Sequence, residues 1–175
     1  MARLLLTLTL ATSLLLPVSA EAHRARAHGR LASRDPVGLA RSVAVRYWGA
    51  VPCGGQVAVH ADQSLVPGLD PNTDGWVTFD SSLGPNNPAA PASTYTHCTV
   101  SLAHWQWPTR AAMESDWNMF CLTVVHEMGH LLGHPHSLAS GSVMAPVFTD
   151  ESSVPTICRT TRPFGARDAR RLPAR

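Results

Sequence analysis

The chain has 175 residues, a net charge of +2, four cysteines and fourteen basic residues, every one of them arginine. That length suits one domain with a sizeable core. The near-balanced charge, and the lack of a basic patch interleaved with aromatics, exclude nucleic-acid recognition. Between residues 47 and 157 Arg110 stands alone against nine acids. The expected molecule is therefore an acidic body with arginine-rich ends. Those ends read as solvated tails, or else as contacts to anionic cell-wall or surface polymers.

Residues 1–22, "MARLLLTLTLATSLLLPVSAEA", have the layout of a signal peptide. Arg3 supplies the charge, residues 4–16 the apolar run, and small residues a cleavage site after Ala20 or Ala22. The run is too short to span a bilayer comfortably. A secreted, extracellular protein without stable membrane insertion is expected, and a monomer. Residues 23–34 lack periodicity and read as a flexible leader, which leaves 35–175 as the folded domain.

Asp35–Pro36 reads as an N-cap and first helical residue. Val37, Ala40, Ala44, Tyr47 and Trp48 follow at helical spacing, and Gly49 ends the helix. "QVAVHA", "GWVTFD" and "HCTVSLA" read as strands separated by turn-rich stretches. "DPNTDG", residues 70–75, matches the first half of an EF-hand loop, but Ser81 stands where that loop requires glutamate. A turn is the expected reading, with weak Ca2+ binding as the alternative. His60 and Asp62 form an H-x-D pair whose further metal ligands, His97 or His104, lie at unsuitable spacing. Trp105 and Trp107 are expected in the core.

None of Cys53, Cys98, Cys121 and Cys158 forms a C-x-x-C pair, which speaks against a cysteine zinc site. Two disulfides are expected in an oxidising compartment. Three pairings are possible. Cys53–Cys98 with Cys121–Cys158 is favoured, because it joins two strands and ties a helix to the segment that follows it.

"HEMGHLLGHPH", residues 126–136, holds four histidines in eleven positions. His126 and His130 are i and i+4 and project from one helical face. Glu127 lies about 100° round and can lean over the same site. Phe120, Cys121, Val124, Val125, Met128, Leu131 and Leu132 form the opposite, core-facing arc. Gly133 sits where the helix should end, since glycine turns left-handed at little cost. The reversed chain can return a third histidine to the pair. His134 has little chain to swing with, so His136 is preferred. It completes H-E-x-x-H-x-x-G-x-x-H, a zinc-protease motif. H-E-x-x-H alone arises by chance in well under about 1% of chains of this size, and the added Gly and His lower that several-hundred-fold on an order-of-magnitude estimate.

Eight residues past His136 comes "GSVMAP", with Met144 among small residues. From the long motif through this turn, about residues 120–148, the chain resembles the metzincin metalloproteases, and within them the matrixins. The resemblance implies that His126, His130 and His136 bind one catalytic Zn2+ and that Glu127 is the general base. It also implies that Met144 forms an apolar floor beneath the metal and that Pro146 helps wall the pocket for the residue after the cleaved bond. Ser137 matches the serine that follows the third histidine in matrixins. Disulfides are a departure from that family, and no strand is evident ahead of the first helix.

The expected fold is α+β: a twisted mixed sheet packed on two helices, one of them the active-site helix. A small C-terminal subdomain should follow from Ser137, closed by a short helix at "FGARDARRL". The expected function is a secreted zinc endopeptidase acting on proteins or peptides. Substrate should lie extended along an edge strand, for which "CTVSLA" is the candidate. The alternatives are a zinc-stabilised binding module without turnover and a hydrolase of cell-wall peptides.

Overall fold

Asp35 opens the first helix, α1 (Pro36–Trp48), by accepting the backbone N–H groups of Val37 and Gly38 at 3.1 and 3.0 Å. Gly49 closes it at φ 66°, in the left-handed region, and donates its N–H to Val45. The structure, a computed structural model, describes residues 35–148 and 151–163, all within one compact unit. The expected signal peptide, leader and helix at "FGARDARRL" lie outside the described residues.

Three strands follow, β1 (Val57–Gln63), β2 (Gly75–Asp80) and β3 (Thr96–Ala103), in the spatial order β1-β3-β2. β1 runs parallel to β3 with Val57 opposite Cys98, and β2 runs antiparallel with Gly75 opposite Leu102. This is a mixed sheet on helices, an α+β fold. The β3 strand is therefore central, and both of its edges are taken by neighbours. That overturns "CTVSLA" as the substrate edge. The physical reason is that a parallel crossover places β1 on its far side, a long-range pairing that local patterning does not announce.

A short helix, α2 (Arg110–Ser115), was not anticipated. Thr109 caps it by accepting the N–H of Ala112 at 3.1 Å. The helix that carries His126 and His130, α3 (Trp117–Leu131), comes next, and a one-turn helix, α4 (Thr156–Thr160), lies near the end of the described chain. Leu39 and Val43 of α1, Val100 and Leu102 of β3, and Phe120 and Val124 of α3 meet in one core, each 1% exposed or less. Full burial of each such side chain contributes about 1.5–3 kcal/mol. The α3 helix is buried on almost every side, not on one arc, since Leu122, Thr123, His126 and Glu127 are enclosed as well.

Trp107 fills the core at 1% exposure and donates Nε1–H to Asp116 at 3.0 Å. Trp105, expected beside it, is instead 51% exposed. Its neighbour's indole already has the interior position and the available carboxylate. Two disulfides, Cys53–Cys98 and Cys121–Cys158, brace the domain. The first joins a 3-10 turn to β3, and the second joins α3 to α4. Trp117 reinforces the second bridge by donating Nε1–H to the Cys158 carbonyl at 2.9 Å.

Candidate metal centre and active site

His126 and His130 leave α3 one turn apart, and the chain then reverses. Gly133 takes φ 88° and donates to the His130 carbonyl, while His134 donates its N–H to Gly129. This paired closure satisfies two helix-end carbonyls and sends the chain back across the histidines. His136 arrives with its Nε2 3.1 Å from that of His130, and His126 Nε2 lies 3.0 Å from the same atom. Three nitrogens bound tetrahedrally at 2.0–2.1 Å would be about 3.3 Å apart, so this convergence fits Zn2+. Among the described residues this is the one group of three or more His, Cys, Asp or Glu side chains brought together as a metal would need. His60, Asp62, His97 and His104 form no such group, nor do the acids of residues 70–75. There Asp70 makes a turn instead, accepting the N–H of Asn72 at 2.8 Å.

The remaining ring nitrogens decide which atoms face the centre. His126 Nδ1 lies 2.9 Å from the Val143 carbonyl, and His130 Nδ1 lies 2.9 Å from the His134 carbonyl. A carbonyl only accepts, so each Nδ1 carries the proton and donates it. Each Nε2 is thereby left with a lone pair directed inward. Burial holds His126 down to about 4, with the neighbouring His130 and His136 adding to the effect and the Val143 bond opposing it. Burial also lowers His130, and His136 adds to it against the His134 bond. Both rings are held neutral, the form that binds a metal.

Glu127 is 6% exposed, and burial pushes its carboxyl up to about 8. Burial thus favours the protonated acid, and the positive charge of a metal held by the histidines would favour the ionised form that a general base needs. It opens onto a cleft of about 700 Å³ lined also by Asp74, Gly75, Val77, His136, Pro146 and Phe148. Burial and the nearby Asp116 charge raise the Asp74 carboxyl above the usual range.

Met144 is 5% exposed, and its sulfur rests against Gly129, where an added Cβ would stand 2.6 Å away. The Met144 carbonyl accepts the N–H of Ser137 at 2.8 Å, tying the methionine turn to the chain beside His136. Residues 55–157, more than half of the chain, match the family profile of the matrixins. The chain belongs to the matrixin family. Matrixins are zinc metalloendopeptidases, which agrees with three converging imidazoles beside a buried glutamate. No curated protein and no solved structure matches the chain.

Several participants escaped sequence reasoning. The Val143 and His134 carbonyls are backbone groups that every residue carries, so no side-chain pattern marks them. Phe148, edge-on to His126 with centroids 5.3 Å apart, could have been found from its place four residues past Met144. Gly75 touches Glu127 only because β2 crosses above α3.

Proposed function

We propose that this matrixin is a secreted zinc endopeptidase whose protease domain, residues 35–175, follows a removable signal peptide and leader. His126, His130 and His136 hold the metal in this reading, Glu127 is the general base, Met144 is the floor and Pro146 a pocket wall. The observation that carries the proposal is the convergence of three Nε2 atoms, at 3.0 and 3.1 Å, beside the buried Glu127 carboxyl facing an open cleft. The two disulfides support an oxidising destination. No described helix is long and apolar enough to cross a membrane.

Bound zinc would supply Lewis acidity that brings the pKa of a water toward neutrality. Glu127 takes the proton of the attacking water and later delivers it to the leaving amine. The β2 strand is the sheet edge at the cleft. Phe79 directs its N–H and carbonyl outward to Asn86, and strand alternation then turns those of Val77 and Gly75 outward as well. A peptide can add there as a further strand, so its scissile bond is aligned by backbone hydrogen bonds. Pro146, Val147 and Phe148 face it from the opposite lip.

Glu127→Gln tests the reading. Glutamine keeps the shape but cannot accept the proton at neutral pH. The variant should fold and retain zinc, with peptide cleavage reduced about 10²–10⁴-fold. Wild type showing no chelator-sensitive cleavage of a mixed peptide library would sink the protease reading. It would leave a binding module. The cleavage profile of the same library separates protein substrates from cell-wall peptides.

A further inference from the structure

The two carbonyls that orient the helical histidines are held in different ways. Val143 is 8% exposed and lies in the methionine turn, enclosed on its own account. The His134 carbonyl belongs to an exposed residue just past a glycine turn, yet it fixes the imidazole of His130. The His134 N–H bonds the Gly129 carbonyl at 3.0 Å, which anchors the start of the residue and leaves its side chain as the second point of attachment.

Trp48, at the end of α1, supplies that attachment. Its indole stacks on the His134 ring with centroids 4.4 Å apart and planes 16° from parallel. It donates Nε1–H to the Val125 carbonyl at 2.8 Å. Its edge lies against Gly129, where an added Cβ would be 2.7 Å from Cζ2. One side chain thus touches the residue before His126, the residue before His130 and the residue whose carbonyl orients His130. The fourth histidine of the run is thereby explained: its ring lies on an indole, turned to a task other than ligation.

We infer that Trp48 is a positioning residue for the metal centre, acting through its stack on His134 to set the carbonyl that fixes His130. The inference rests on the reading of His126, His130 and His136 as zinc ligands. Residues that orient a ligand from behind typically govern metal affinity by 10–100-fold. A stack acting on one peptide should also make Trp48 and His134 behave as a unit, with non-additive effects.

Zinc dissociation constants measured by competition with a chromophoric chelator test this, with the thermal midpoint of the metal-free protein recorded alongside. His134→Ala and Trp48→Leu should each weaken zinc binding about 10–100-fold. The double variant should be no weaker than the worse single, to within roughly threefold. Trp48→Phe, which keeps an aromatic face, should stay nearer wild type than Trp48→Leu. The visible absorption of the Co2+-loaded protein should change in His134→Ala, a readout that mere loss of fold stability would not produce. His134 is exposed, so that arm reports even if Trp48→Leu fails to fold. Wild-type zinc affinity in His134→Ala overturns the inference, as do losses that multiply in the double variant. Absence of zinc binding in wild type would overturn the metalloprotease reading as well, whereas tight wild-type binding with an unaffected His134→Ala overturns this inference alone.

Discussion

His126 and His136 point at the same place from opposite circumstances. His126 is 5% exposed, sits in the middle of a helix and is locked by a bond from Nδ1 to Val143. His136 is exposed, lies on irregular chain, and among the described residues has no hydrogen-bond partner outside the imidazole cluster. The contrast shows how such a centre divides its work. The helical side is arranged by folding, so its ordering entropy is met by the core. In the proposed zinc reading the third imidazole, brought close by a turn, would be fixed by the metal, which would couple metal binding to local order.

The comparison breaks most visibly in stability without metal. Both His126→Ala and His136→Ala should lose stoichiometric zinc. In chelator, His126→Ala should also lower unfolding stability by about 1–3 kcal/mol, because the buried Val143 carbonyl loses its partner. His136→Ala should leave metal-free stability within about 0.5 kcal/mol of wild type. Urea unfolding of the two variants measures the difference, and equal losses would erase the distinction.

Gly75 is where the open cleft edge touches the buried side. A Cβ there would stand 2.9 Å from Thr123 Cγ2 and 3.1 Å from both Cγ and Oε1 of Glu127. Gly75→Ala should displace the carboxylate and cut kcat about tenfold, matching an overpacking strain of about 1–3 kcal/mol. Zinc content should stay at the wild-type level. An unchanged kcat would mean that Glu127 adjusts freely and that the buried side is less rigid than its contacts imply.

The smallest effect expected is in amide hydrogen exchange. Removing zinc should speed exchange in residues 134–142 while residues 120–131 keep their protection. Loss of protection in the helix as well would show that the metal, rather than the core, holds both sides.

How legible these regions were follows the same division. Asp35–Pro36 and Gly49 mark the ends of α1 because capping is local chemistry. The spacing of His126, His130, Gly133 and His136 marks the centre because helix pitch and a left-handed turn are local too. Strand order is different. Whether β3 is central depends on where β1 lands after the chain crosses over, and "CTVSLA" reads alike in either place. The stack of Trp48 on His134 spans two elements, so nothing near either residue announces it. Thr109 did signal α2, as a threonine N-cap before Arg110, but a six-residue helix has too little periodicity to stand out.

The Cys121–Cys158 bridge encloses His126, Glu127, His130, His136 and Met144 within one covalent loop, the two cysteines being 37 residues apart. If the proposed endopeptidase activity is turned on another copy of the chain, the exposed Leu138 and Val147 are open to attack, and both lie inside that loop. A cut there leaves both fragments tethered through sulfur. Such damage would therefore be invisible on a non-reducing gel and resolve into two bands only after reduction, so preparations judged intact on a non-reducing gel alone can conceal nicked protein.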